Sequence, residues 1–139
     1  MRVLTVGATG QFAGLVLPTL VGTGLEVRAL VQDPDKAEQL ADTGVTDLVA
    51  GDLRDSDSMR AALNGMDGLF LVLPAFAPDT AELGTSVIAA AQAAGVRRVV
   101  FSGVYHPSLS LVNHAGPPTS NARRLLRRTR SLTGETANR

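Results

Sequence analysis

Apolar and polar positions fall into alternating blocks over the first hundred residues. Arg2-Val3-Leu4-Thr5-Val6 is a short apolar, β-branched run that ends at Gly7, the pattern of a buried parallel strand. Similar runs recur at 26–31, 47–50, 68–73 and 97–102. Between them lie segments with helical spacing. Residues 12–21 form the first, with Gly22 and Gly24 as stops and Pro18 predicting a bend or a weakened turn. Asp33-Pro34-Asp35 opens a second, running to about residue 42, with proline early and acids in the first turn. Asp55 or Ser56 caps a third that extends through Asn64. Pro78-Asp79 starts a long fourth that runs to Ala94 and stops at Gly95.

Strands alternating with helices predict parallel pairing through right-handed crossovers. The expected fold class is therefore α/β, a doubly wound parallel sheet of five strands in the order 3-2-1-4-5. Nearly continuous apolar strands predict helices on both faces, and any ligand is expected at the carboxyl ends of the strands. The pattern fails beyond Ser102. Residues 103–121 read as loop, with Pro107, Gly116, Pro117 and Pro118, and residues 122–132 offer one short basic helix with Ala122, Leu125, Leu126 and Leu132 on one face.

Composition narrows the function classes. The 139 residues are 45% hydrophobic, which argues against global disorder. No run reaches the roughly 18–20 apolar residues of a membrane span, and the amino terminus lacks a signal-peptide layout. With no cysteine, disulfides, thiolate metal sites and thiol catalysis are excluded. A cytoplasmic location is expected, with no membrane partner. The net charge of zero hides an asymmetry. Residues 1–116 hold seven basic and twelve acidic residues; residues 117–139 hold six arginines and one glutamate. This shift marks a boundary between a 1–116 unit and a divergent arginine-rich tail, 117–139. Arg123, Arg124, Arg127, Arg128 and Arg130 lack interleaved aromatics, so no nucleic-acid partner is expected.

The chemistry concentrates in the first turn, Gly7-Ala8-Thr9-Gly10-Gln11-Phe12-Ala13-Gly14. It lies between a predicted strand and a predicted helix, the context a dinucleotide-binding turn requires. Gly7 permits the tight turn, Gly10 lets backbone approach a pyrophosphate, and the small Ala13 lets helix and strand pack closely. The helix start then presents free amides and partial positive charge. No Gly-Lys-Ser/Thr follows, so the turn is not a P-loop.

These residues, with Val-Arg-Ala-Leu-Val-Gln-Asp-Pro (27–34), Gly-Asp-Leu-Arg-Asp (51–55), Ala-Gly-Val-Arg-Arg-Val-Val-Phe-Ser (94–102) and His-Pro-Ser-Leu-Ser-Leu-Val-Asn-His-Ala (106–115), resemble the NmrA-like family of atypical short-chain dehydrogenases/reductases. The resemblance covers about residues 1–116 and implies a Rossmann domain that binds NADP or NAD. It implies that the turn, including Gly7, Thr9, Gly10, Gln11 and Phe12, holds the pyrophosphate. Gln32 and Asp33 would face the adenosine ribose, with Lys36 nearby, and Asp52 and Leu53 would border the adenine. Leu73 and Pro74 would lie by the nicotinamide ribose, and Ser102 and Gly103 would line the nicotinamide end. Two departures stand out. Family members often carry arginine where Gln32 stands and lysine where Gln11 stands, which leaves NADP and NAD both open. From Pro117-Pro118 onward the family pattern is lost, and the single domain is expected to lack the family's later strands and substrate lobe. The tail is either a foreign end on a family gene or a short helix covering the fifth strand.

No catalytic residue is identified. The tyrosine–lysine pair of short-chain dehydrogenases needs lysine four residues after tyrosine, but Leu109 follows Tyr105 and Lys36 is the only lysine. His106 and His114 are candidate acid–base groups in a loop. Ser102 has no base at recognisable spacing. Asp52, Asp55 and Asp57 read as a strand end and helix cap, with no metal site. The expected function is NAD(P) binding with little or no reductase activity in a chain this short; the small-molecule substrate is left open. The alternative is a redox-sensing regulator that loads NAD(P) and acts through a protein partner. The open flank of the fifth strand leaves a homodimer open as well.

Overall fold

The computed structural model describes residues 1–74 and 77–103. Five parallel strands form one sheet: β1 (Arg2–Val6), β2 (Glu26–Val31), β3 (Asp47–Ala50), β4 (Gly68–Val72) and β5 (Arg98–Ser102). Their order is β3-β2-β1-β4-β5, as the alternation predicts. Three α-helices connect them: α1 (Gln11–Gly22) after β1, α2 (Ser56–Leu63) after β3 and α3 (Thr80–Ala93) after β4. A 3-10 helix, Pro34–Thr43, joins β2 to β3.

That 3-10 helix corrects the winding of the expected helix, opened by Asp33-Pro34-Asp35 and running to about residue 42. Its first turn closes early, because the Asp33 carbonyl accepts from the Lys36 amide at 3.0 Å. The Asp33 carboxylate takes the Asp35 amide at 3.1 Å, and Pro34 has no amide hydrogen. A three-residue repeat is thus set at the start. Pro18, expected to bend or weaken α1, lies within one continuous helix. The remaining expectations shift by one or two residues at element ends, as terminal turns commonly do.

The sheet sorts its side chains by alternation. Leu4 and Val6 of β1, with Leu69 and Leu71 of β4, face α2 and α3 and pack with Met59, Leu63, Val87 and Ile88. The opposite face packs Val27, Ala29 and Val31 of β2 against Leu17 of α1 and Leu40 of the 3-10 helix. Each fully buried leucine of this kind stabilises the fold by about 1.5–3 kcal/mol. Among the described residues, the expectation of cover on both faces holds for β1 and β2 but not for β5. Ala29, Thr5, Phe70 and Val100 form one row across neighbouring strands. Ala29 and Thr5 are fully buried, whereas Val100 is 60% exposed. Helix α1 and the 3-10 helix cover β1 and β2 only, because both leftward crossovers lie there. The Thr5 hydroxyl, within this row, has no hydrogen-bond partner among the described residues.

The amino ends of the strands are tied by one residue. Asp67 accepts the Arg2 amide at 2.9 Å and the Arg97 guanidinium at 3.1 Å through its carboxylate. Its carbonyl accepts the amides of Arg97 and Arg98, and its own amide donates to the Arg2 carbonyl. The Arg2 amide foremost, then Arg97, holds the Asp67 carboxyl below its ordinary value. This tie joins β1, β4 and β5 at the sheet's floor and leaves the opposite edge free to carry a site.

Candidate functional site: a glycine-floored groove

The groove opens at the carboxyl ends of β1, β2, β3 and β4. It holds about 240 Å³ and is lined by Gly7, Thr9, Gly10, Leu30, Gln32, Gly51, Leu53, Val72, Leu73 and Pro74. Four segments remote in sequence meet there because parallel strands all end at the same edge.

Its floor is built from glycine for steric reasons. Gly7 sits at φ +79°, and a Cβ there would lie 2.6 Å from the Val72 carbonyl oxygen. Only glycine therefore lets β1 turn directly beside β4. The Gly10 amide donates to the Gly7 carbonyl at 2.8 Å, closing the turn. Gly10 is the residue that caps α1, with extended backbone and no side-chain cap. A Cβ on Gly10 would come within 3.0 Å of the Gly7 oxygen. Gly51 is confined less rigidly, since its Cβ would meet the terminal Cδ1 of Leu30 at 2.8 Å and the Ser58 hydroxyl at 3.0 Å, side-chain ends that can shift. Ala8 and Ala13 are fully buried beside the turn, where their small size lets α1 approach the sheet.

The helix starts along this edge differ in electrostatics. Asp33 opens the 3-10 helix, and Asp55 caps α2 by accepting the amides of Asp57 and Ser58 at 3.2 Å. Asp79 precedes α3 and pairs with Arg54 at 3.0 Å. Helix α1 alone opens on glycine, with no acid in its first turn. Its amides and positive dipole end therefore stay available to an anion. On the far rim, Asp52 accepts the Arg54 amide at 2.9 Å. Thr80 lies within hydrogen-bond distance of the carbonyls of Pro74 (3.0 Å) and Ala77 (2.6 Å), which fixes the end of the β4 loop to α3.

Of the residues singled out in the sequence, Gly7, Thr9, Gly10, Gln32, Leu53, Leu73 and Pro74 line this one groove. Gln11 and Phe12 occupy the exposed first turn of α1, and Phe12 is 70% exposed. Asp33 and Lys36 belong to the start of the 3-10 helix, one and four residues past Gln32. Asp52 directly follows Gly51. Ser102 ends β5 in register with Val72, and Gly103 follows it beside the Phe101 ring. Gly51, Leu30 and Val72 were missed by sequence reasoning. Gly51 carried a usable signal, because it follows β3 as Gly7 follows β1. Leu30 and Val72 read only as strand interior. Tyr105, His106, His114 and the arginines of the tail lie outside the described residues. Helix α2 uses Asp55 as its cap, as expected. No helix among the described residues is long and apolar enough to cross a membrane.

Known proteins resemble this chain in sequence and in fold. The sequence model of the NmrA-like family matches residues 1–116. An NAD(P)H azoreductase from Xenophilus azovorans is 40% identical over 100 residues, covering 72% of this chain and 34% of the relative. The crystal structure of the NADPH-dependent quinone oxidoreductase QOR2 from Escherichia coli, in complex with NADPH, superposes with a TM-score of 0.75 at 29% identity. That match covers 92% of this chain and 45% of the reductase. NmrA, a negative transcriptional regulator, superposes with a TM-score of 0.73 at 26% identity, covering 94% of this chain and 42% of the regulator. The chain thus spans about a third of the length of the azoreductase and under half of the two solved proteins. With the sheet order, the glycine-floored groove and the uncapped start of α1 in place, the match over residues 1–116 makes this chain a member of the NmrA-like family.

Proposed function

We propose that the groove binds NAD(P), with the pyrophosphate seated on the turn from Gly7 to Phe12. The observation that carries this reading is the pairing of a glycine floor with the one helix start on this edge, among the described residues, that has no carboxylate. Gly7 and Gly10 keep the floor open, and the amides at the start of α1 supply the donors an anion needs. The residues fit the group: a Cβ at Gly10 would come to 3.0 Å from the Gly7 carbonyl oxygen, so glycine keeps the turn tight where backbone would approach the phosphates. Gln32 and Asp33 then lie toward the adenosine ribose, Lys36 beyond them, and Asp52 and Leu53 toward the adenine. Leu73 and Pro74 border the nicotinamide ribose, with Ser102 and Gly103 at the nicotinamide end. In its reduced form the bound cofactor would supply a hydride. The turn from Gly7 to Phe12 and the groove lining would hold the dinucleotide, with Leu73, Pro74, Ser102 and Gly103 at its nicotinamide end.

The activity of the longer relatives, NAD(P)H-dependent azo or quinone reduction, extends to this chain as a proposal of ancestry. For this chain by itself we propose cofactor binding with little or no turnover. The groove is lined by glycine, leucine, valine, proline, threonine and glutamine, groups that hold and orient a ligand. Such a lining also suits a redox-sensing regulator, the second reading, which the likeness to the regulator NmrA supports. Two measurements separate these outcomes. Nicotinamide fluorescence on titration with NADH and NADPH should rise saturably. Oxidation of the reduced cofactor with a quinone should stay at the uncatalysed rate. Rapid quinone-dependent oxidation would refute the non-catalytic reading, and no binding by the folded protein would refute the site.

A further inference from the structure

The proposed site holds one well-formed anion seat, and its rim suggests which dinucleotide fits. NAD and NADP differ at the adenosine ribose, where one carries a 2′-hydroxyl and the other a 2′-phosphate. A phosphate there needs donors or cations; a hydroxyl needs an acceptor. The groups at the end of β2 decide between them.

Gln32, which lines the groove at this point, is neutral. Asp33 follows it, about twenty residues past the glycine-rich turn, the spacing at which an acidic residue meets a ribose hydroxyl. The start of the 3-10 helix beside it is already filled from within. Pro34 has no amide hydrogen. The Asp35 amide donates to the Asp33 carboxylate at 3.1 Å. The Lys36 amide donates to the Asp33 carbonyl at 3.0 Å. The amides of Asp35 and Lys36 are thus spent within the turn, in contrast to those at the start of α1. Asp33 is exposed and enters no ion pair among the described residues, so its carboxylate keeps its acceptor capacity. Residues 33–38 carry three carboxylates, Asp33, Asp35 and Glu38, against the single ammonium of Lys36. The guanidinium of Arg54, after β3, is held by Asp79 through two hydrogen bonds of 3.1 Å.

We infer that Asp33, with Gln32, selects the dinucleotide with a free 2′-hydroxyl, so that this chain prefers NADH to NADPH. The Asp33 carboxylate accepts from the ribose hydroxyl and repels a 2′-phosphate. The inference rests on the groove being the dinucleotide site, and it separates this chain from the quinone oxidoreductase solved with NADPH.

The test is binding alone. NADH and NADPH are titrated separately into the full chain and into a Gln32→Arg/Asp33→Asn variant, followed by nicotinamide fluorescence and by calorimetry. A Kd for NADH at least about tenfold below that for NADPH is expected, a difference of about 1.4 kcal/mol. The double variant should reverse the order, since arginine matches phosphate geometry and the carboxylate is gone. Asp33→Glu, which keeps the charge, should keep the NADH preference. Equal or tighter NADPH binding by the unaltered chain overturns this inference and leaves the dinucleotide site standing. Failure of both cofactors to bind the folded chain overturns the site and the inference together.

Discussion

Three glycine-to-alanine changes test the steric account of the groove, because the structure assigns each a different cost. Gly14 lies inside α1, and a Cβ there meets nothing within 4 Å. Gly14→Ala should therefore stabilise by about 0.5–1 kcal/mol, the helix-propensity gain. Gly24 has φ +78° and equally open surroundings. Gly24→Ala should cost only the left-handed backbone penalty, about 1–2 kcal/mol. Gly7 has nearly the same φ, but its Cβ would lie 2.6 Å from the Val72 oxygen and 3.1 Å from the Val72 Cβ. Val72 is fixed in the ladder with Ser102, so either β4 shifts or the turn opens. Overpacking of this kind adds about 1–3 kcal/mol, bringing Gly7→Ala to about 2–5 kcal/mol. Urea unfolding monitored by far-ultraviolet circular dichroism, with m compared across the series, measures all three. A Gly7→Ala loss equal to that of Gly24→Ala would refute the claim that β4 closes the turn from below.

Three further predictions concern the frame around the site. Asp67→Asn should lower stability at neutral pH. The folded carboxyl titrates below its ordinary 3.8, so its contribution is present above that value and is lost as pH falls through the folded one. The gap between variant and parent in acid unfolding should accordingly close below about pH 3.8; a gap that persists into stronger acid would contradict the assignment. Thr5→Val should stabilise by about 1 kcal/mol in chemical unfolding, because it removes a buried hydroxyl without a partner among the described residues; a loss of that size would mean the hydroxyl is satisfied. Asp55→Ala should cost about 1 kcal/mol by the same assay, as it frees the amides of Asp57 and Ser58.

The sequence made the sheet legible because each strand carries its own local signature. Val3-Leu4-Thr5-Val6 and Leu69-Phe70-Leu71-Val72 are apolar on both faces, and short connections leave few ways to join them. The turn from Gly7 to Gly14 was readable for the same reason: its spacing is local and its steric need is specific. Features that depend on distant partners were not readable. Gly51 is confined by Leu30, twenty-one residues earlier. Asp67 owes its role to Arg2 and Arg97, which lie at the ends of two other strands. The exposure of Val100 depends on where α1 stops covering the sheet, which no apolar pattern within β5 reports. The 3-10 winding of Pro34–Thr43 follows from hydrogen bonds at Asp33 that compete with an α-helical start.

The central claim is that the glycine-rich turn is a working pyrophosphate seat. Gly10→Val tests it most directly. The backbone of Gly10 has φ −79° and ψ 155°, an extended conformation open to any residue, so the fold should survive once the 3.0 Å approach of the new Cβ to the Gly7 carbonyl oxygen is relieved by a small shift of the turn. The added side chain projects into the approach to the start of α1. Titration with NADH, followed by nicotinamide fluorescence, should show saturable binding by the parent chain. The variant should lose that binding by at least about tenfold while keeping its circular dichroism spectrum. A folded variant that binds NADH as the parent does would contradict the account.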